Sequence, residues 1–254
     1  MLLALDVGNT HIVIGVFDGE RLVADFRVHT DARTTGDELG LLLTELLSRA
    51  EVALAHIDGV IVSNGVPALA RPLSEVSERY FHSQLQVVGP GIRTGIKIHY
   101  DDPRQVGGDR IANAIAARHL YGAPAIVVDF GTATTFDCVD RDGDYLGGAI
   151  APGIQISLDA LVSHAARLTR VELTAPATAI GHSTAASVQS GLMYGYVGLV
   201  EGLVARLKAE IGGTPKVIGT GGLAEPLSQL TTVIDVVDQR VTLTGLRLIH
   251  EQNA

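Results

Sequence analysis

The chain has 254 residues, of which 46% are hydrophobic and 19% charged, enough to bury a sizeable core and to exclude a disordered chain. A formal net charge of −9 argues against a sequence-independent grip on nucleic acid, which needs a basic face. No run is long and apolar enough to span a membrane, and Asp6 interrupts the first apolar run before a leader is complete, so a cytoplasmic protein without a membrane partner is expected.

Leu2 to Leu5 is an apolar strand that ends in a lone carboxylate, Asp6, followed by the turn Gly8-Asn9-Thr10. Ile12, Ile14 and Val16 alternate along a return strand, and Asp18-Gly19 turns the chain into a third strand, Arg21 to Val28. Thr35-Gly36-Asp37-Glu38 starts a helix with Leu39, Leu42, Leu43, Leu46 and Leu47 on one face. Ile57 to Val62 reads as a buried strand ending at Ser63-Asn64-Gly65. Val66 to Tyr80 reads as a helix whose start is blurred by Pro67 and Pro72. Leu85 to Val88 is a further strand, and Gly89-Pro90-Gly91 breaks the chain. Residues 92–106 show no regularity, and Gly95, Tyr100, Asp101, Asp102 and Pro103 suggest an ordered loop. Gly107-Gly108-Asp109-Arg110 then opens a helix that runs to Leu120. Asp109 suits a helix N-cap. Equally, the two glycines before it admit a ligand to the backbone and the arginine after it can grip a carboxylate. Composition leaves both readings open.

The second half opens with Ala125 to Val128, an apolar, mostly β-branched run that again ends in one carboxylate, Asp129. Gly131 follows among Thr132, Thr134 and Thr135. The chain extends again through Phe136, Cys138 and Val139 to a turn at Asp142-Gly143. Cys138, the only cysteine, has no disulfide partner and is expected in the core. Tyr145 to Ile150 leads to Ala151-Pro152-Gly153 and a helix from Ile154 to Leu161. Residues 163–182 are mixed and are expected to be mobile or ligand-facing. His164 and His182 lack a second histidine or cysteine at metal-ligand spacing and read as structural or surface residues. Ser183-Thr184 caps a long helix to about Ile211. Its Gly191, Gly195, Gly198 and Gly202 cost helix propensity, which suggests close packing against another helix, from this chain or a second subunit. Lys216 to Thr220 is a strand followed by Gly221-Gly222, a place for a flat base or ribose or simply a tight turn. Val233 to Val236 and Leu243 to Ile249 close the chain as a short strand and a helix.

The two hairpins repeat each other. D-V-G-N-T aligns with D-F-G-T-A, D-G-E-R-L with D-G-D-Y-L, and the second copy starts about half a chain length after the first. Glycine lets backbone amides approach an anion, threonine hydroxyls add donors, and the acid can hold a cation that offsets the charge. The chemistry suits a nucleotide phosphate, with two facing tips gripping one triphosphate. An α/β chain of two similar halves, residues 1–120 and 121–254, is expected, each with a mixed sheet and a ligand cleft between them.

The loops at Asp6 to Thr10 and Asp129 to Thr135 resemble the phosphate loops of the actin, sugar kinase and Hsp70 superfamily, which implies a duplicated ribonuclease H-like (actin-like ATPase) fold. G-G-D-R at Gly107 to Arg110, G-G-A-I-A-P-G at Gly147 to Gly153, G-T-G-G at Gly219 to Gly222 and the ending G-L-R-L-I-H-E-Q-N together resemble type III pantothenate kinase, in the right order along essentially the whole chain. The resemblance implies ATP-dependent phosphorylation of pantothenate, the first committed step towards coenzyme A. It implies that Asp6, Val7, Gly8, Asn9, Thr10, His11, Ile12 and Val13 bind ATP, that Thr132 also touches ATP, and that Asp129 holds a monovalent cation, K+ or NH4+, while Mg2+ enters with ATP. It implies that Tyr100, Gly107, Gly108, Asp109, Arg110 and Thr184 hold pantothenate, that Asp109 accepts the proton, and that the protein is a homodimer.

Two positions depart from that family's pattern. Gly108 stands where alanine is usual, which loosens a helical site by about 1 kcal/mol. Asn64-Gly65 replaces a pair of small hydroxyl or apolar residues. Two other readings share the superfold: a kinase for a sugar or another small alcohol, and a nucleotide-binding regulator without catalysis. The Gly107 to Arg110 loop argues against the first. The presence of Asp6, Asp109 and Asp129 argues against the second, as does the acidic balance.

Overall fold

The alternation at the N-terminus gives the expected meander in the computed structural model, which describes every residue from Met1 to Ala254. Strands β1(Leu2–Val7), β2(His11–Asp18) and β3(Arg21–His29) pair antiparallel, and β4(Gly59–Asn64) and β5(Leu85–Val87) add in parallel on the other side of β1. The sheet order is β3-β2-β1-β4-β5. Leu3, Leu5 and Val7 share a core with Ile12, Ile14 and Val16 of β2, covered by α1(Gly36–Arg49) and α2(Ala70–Tyr80).

Helix α1 begins at a capping box. The Thr35 hydroxyl accepts from the Glu38 N–H at 3.3 Å, and the Thr35 N–H donates to the Glu38 carboxylate at 2.9 Å. Its buried stripe is Leu39, Leu43 and Leu47, each worth about 2–3 kcal/mol of burial, while Leu42 stays exposed. Pro67 opens a short 3-10 turn, Pro67–Leu69, and Pro72 lies in the first turn of α2; at both places a missing N–H costs little.

The second sheet repeats this plan in the order β10-β9-β6-β7-β8. β6(Ala125–Phe130), β7(Ala133–Val139) and β8(Tyr145–Pro152) form the meander, and β9(Lys216–Thr220) and β10(Val236–Val237) add in parallel. Ile126, Val128, Phe136 and Cys138 pack with Ile154 of α4(Ile154–His164), Leu227 of α6(Ala224–Ser228), and Met193, Tyr196 and Val200 of α5(Thr184–Ile211). Two meanders, each extended by parallel strands and covered by helices, make the duplicated ribonuclease H-like fold.

The chain divides into two units, one of Met1–Ala116 with Arg240–Ala254, the other of Ala117–Gln239. The sequence suggested a single cut between residues 120 and 121. The difference is the last helix, α7(Val241–Glu251), which returns to the first sheet. It packs on α3(Gly108–Tyr121) so closely that a Cβ at Gly245 would overlap the carbonyl oxygen of Ala112. His250 of α7 lies against Gly59 of β4, and its Nδ1 is 2.7 Å from Gln86 Oε1 of β5. Helical periodicity marks an apolar face but not which sheet receives it.

Residues 165–183 form no helix or strand, yet they are tied to α5: Ser190 donates to the Ala179 carbonyl at 2.6 Å, Tyr194 to the Pro176 carbonyl at 2.5 Å, and Gln189 to the Glu172 carbonyl at 3.1 Å. The glycines of α5 are not packed against another helix of this chain: a Cβ at Gly191, Gly195 or Gly198 would meet nothing within 4 Å.

Candidate active site

The first phosphate-type loop is the β1–β2 turn. Asp6 pairs across the sheet with Val13, and Val7 with Ile12. The Gly8 N–H donates to the His11 carbonyl at 3.0 Å and closes the turn, leaving Asn9, Thr10 and His11 exposed. The residue after β3 steadies it, with the Thr30 hydroxyl donating to the Gly8 carbonyl at 2.7 Å and the Thr30 N–H to the Thr10 carbonyl at 3.0 Å. Asn64-Gly65 has its place here. The Gly65 N–H donates to the Val7 carbonyl at 2.8 Å, and the Asn64 side chain accepts from the Val66 N–H at 2.9 Å. The His11 and His29 rings lie 5.3 Å apart. Burial, then the nearby charges of Arg27 and His29, hold the His11 pKa below its ordinary value.

The second loop, between β6 and β7, is built differently. The Gly131 N–H closes it on the Ala133 carbonyl at 3.1 Å, with Gly131 and Thr132 exposed at the tip. Below the tip a buried chain of hydroxyls holds it: Thr134 and Tyr196 share a hydrogen bond of 2.6 Å, and the Tyr196 hydroxyl donates to the Pro152 carbonyl at 2.5 Å. Burial raises the Tyr196 pKa, with the Thr134 bond opposing, so the phenol remains a donor. Two glycines press on this loop. Gly153 donates its N–H to the Thr132 carbonyl at 3.1 Å, and any Cβ there would overlap that oxygen. Gly221 has φ +88°, and a Cβ on it would stand 2.5 Å from Asp129 Oδ1. The Gly221-Gly222 pair is therefore first of all a turn required by φ and by the Asp129 carboxylate.

Asp109 is not the cap of α3 but its second residue, half-buried in the first turn, with Gly107 ahead of the helix. Its carboxylate folds back over Gly107, where a Cβ would collide with Oδ1. The amino end of a helix stabilises a carboxylate so placed. Arg110, next in the chain, is 6% exposed. Gly108 fits tightly: a Cβ would stand 3.0 Å from the Val88 carbonyl oxygen and 3.2 Å from Ser63 Oγ, so alanine requires a shift of the neighbours.

The stretch leading into this loop is clasped by the end of the chain. The Asn253 side chain accepts from the Arg93 N–H at 3.0 Å and donates to the Arg93 carbonyl at 2.8 Å, and Gly95 lies against Gln252. Under the stretch lies a cavity of about 150 Å³ walled largely by Pro90, Ile92, Ile98, Val106 and Ile111. Tyr100, in the same stretch, is half-buried.

The expected site residues fall in both units. Asp6 to Val13, Tyr100 and Gly107 to Arg110 belong to the first, and Asp129, Thr132 and Thr184 to the second. Thr184 is the exposed first residue of α5, behind the cap at Ser183, whose hydroxyl accepts from the Ala186 N–H at 3.2 Å. The sequence offered Gly221 as a ligand platform or a turn and gave no role in the site to Thr30, Gly153, Tyr196 or Asn253. Gly153, Gly221 and Asn253 were visible in the quoted motifs; Thr30 and Tyr196 carry no motif and act only through tertiary contacts.

The fold recurs in a conserved protein of Campylobacter jejuni assigned to the Baf family of transcriptional activators (TM-score 0.65, 20% identity, covering 99% of this chain and 98% of that one). It recurs in a Sinorhizobium meliloti protein assigned as a 2-dehydro-3-deoxygalactonokinase (TM-score 0.60, 15% identity, 99% and 96% covered). The inorganic polyphosphate/ATP-glucomannokinase of Arthrobacter sp. strain KM shares it too (TM-score 0.54, 19% identity, 99% and 98% covered). All three share the two-sheet scaffold described above. Within it, residues 2–206 match the type III pantothenate kinase family, and the chain belongs to that family. It is a kinase, with pantothenate and ATP as substrates and a divalent metal accompanying ATP. No helix is long and apolar enough to cross a membrane.

Proposed function

We propose that this chain transfers the γ-phosphoryl group of ATP to the primary hydroxyl of pantothenate, giving 4'-phosphopantothenate for coenzyme A synthesis in the cytoplasm, with Asp109 as the proton acceptor. The observation that carries the assignment of Asp109 is its carboxylate, folded over Gly107 at the amino end of α3 beside buried Arg110. Phosphoryl transfer through a loose transition state asks the protein chiefly for positioning and charge. Asp109 orients the hydroxyl, whose oxygen bonds to the γ-phosphorus as the bond to ADP breaks. The proton passes to Asp109 late, when the hydroxyl has become acidic. Arg110, with Tyr100, Gly107, Gly108 and Thr184, holds pantothenate and supplies the positive charge for its carboxylate or for the phosphoryl group in flight.

In this reading Asp6 to Val13 bind ATP phosphates through the backbone donors of an exposed turn, and Thr132 adds a hydroxyl. The residues fit the ions that such a site takes. Asp129, half-buried with its carboxylate close against Gly221, would supply the negative charge for a monovalent cation, K+ or NH4+. Asp6, half-buried near the end of β1, would hold the magnesium that enters with ATP. These ions offset triphosphate charge; the chain's own groups do the orienting and the proton transfer. A second copy of the chain lies along the open small-residue face of α5 at Gly191, Gly195 and Gly198.

The test is ADP release from purified protein with Mg-ATP, with and without pantothenate, in potassium and in sodium buffer. Pantothenate-dependent release that requires potassium is expected. Release with other alcohols but not pantothenate would move the assignment to another kinase, and ATP binding without release would mark a regulator.

A further inference from the structure

The chain is acidic overall, yet one face of the first sheet gathers three basic side chains beside the first loop. Ile12, Ile14 and Val16 point into the core, so His11 and Val13 point the other way, as does Asp6, which alternates with Leu5 and Val7. Cross-strand partners share a face. Asp6, Val13 and Arg27 therefore form one row across β1, β2 and β3, and His11 with His29 forms the next row towards the loop. The neighbouring acids on β3 and beyond are already neutralised: Asp25 by Arg240 at 3.2 Å, and Asp31 by Arg33 at 3.3 Å. Arg27 is exposed and forms no ion pair with a carboxylate. Its charge is felt instead at His11, whose ring lies 5.3 Å from that of His29. Thr30, one residue past His29, is the double anchor of the loop, so the patch and the loop form one body.

Val13, inside the stretch assigned to ATP phosphates, brings no charge of its own. With strands about 4.8 Å apart, an arginine on β3 paired with Val13 is long enough to span the width of β2. We infer that Arg27 and His29, with His11, form the side wall of the polyphosphate site, so that the triphosphate chain of Mg-ATP lies over Val13 and is held from β3. The patch follows from the cross-strand juxtaposition of His11 with His29 and of Val13 with Arg27. This inference rests on the ATP site proposed above. An edge strand also carries exposed arginines merely to stay soluble, which is the outcome the experiment must separate.

The experiment is steady-state kinetics of Arg27→Ala, Arg27→Lys and His29→Ala with pantothenate as acceptor, alongside competition by inorganic tripolyphosphate and by adenosine. Arg27→Ala is expected to raise the KM for ATP about tenfold and to weaken tripolyphosphate inhibition in parallel. This is the factor for losing one charge-assisted contact at a partly exposed site. Adenosine inhibition, the KM for pantothenate and the melting temperature stay unchanged. Arg27→Lys recovers most of the loss, and His29→Ala costs about threefold. An active wild type whose Arg27→Ala and His29→Ala forms keep the same KM for ATP and the same tripolyphosphate inhibition overturns the inference while leaving the kinase assignment standing. A wild type that shows no ATP-dependent turnover overturns both.

Discussion

The two hairpins begin with the same residues, a strand, an aspartate and a glycine turn, but they are held by opposite means. The first is steadied by one half-buried residue beyond β3, Thr30, and by main-chain bonds at Gly8 and Gly65. The second is held from beneath by the buried Thr134–Tyr196–Pro152 chain and is pressed by Gly153 and Gly221, where no side chain fits. Similar local sequence fixed similar turns; the surrounding elements set how much each turn can yield. The second loop is therefore expected to fail abruptly on mutation, and the first to fail by degrees.

The largest effect should come from Gly221→Ala, which places a methyl group against Asp129 Oδ1 and forces a left-handed φ on alanine. Activity should fall at least a hundredfold, and potassium should no longer stimulate what remains; kinetics in potassium and sodium check this. Tyr196→Phe should come next. It strands the Thr134 hydroxyl and the Pro152 carbonyl, costing about 1–3 kcal/mol in urea unfolding, with a matching loss of turnover. Thr30→Val removes one hydroxyl bond from the first loop and should cost only about 1 kcal/mol, appearing mainly as a raised KM for ATP. Equal losses for Tyr196→Phe and Thr30→Val would erase the contrast.

The smallest effect concerns neither loop but the return of α7 to the first sheet. Burial, with the N-terminal charge adding to it, holds the His250 pKa below its ordinary value against the opposing pull of Asp58 and Glu251. The unfolded chain then takes up its proton at higher pH than the folded one. The stabilisation is complete above about pH 6.5 and falls away as the pH drops below that. The melting temperature should fall modestly between pH 7 and 5.5, and His250→Gln should flatten that part of the profile.

Much of this was legible in the sequence. Alternation set the meanders, Thr35 and Glu38 set the start of α1, and the doubled D-x-G pattern showed the duplication before any contact was known. The return of α7 was not legible, because Gly245 acquires its meaning only from Ala112 across the helix crossing. Nor was the clasp of Asn253 on Arg93, which joins residues far apart in the chain. The glycines of α5 were legible as a stripe, but the expected neighbour is not another helix of this chain.

The central claim is that Asp109 takes the proton from pantothenate, and Asp109→Asn tests it most directly. Measured with saturating Mg-ATP and pantothenate in potassium buffer, the variant should keep its melting temperature and its affinity for ATP while turnover falls by about three orders of magnitude, the usual range for a lost general base. Turnover within a few-fold of wild type would reduce Asp109 to a residue of the first helical turn and contradict the account.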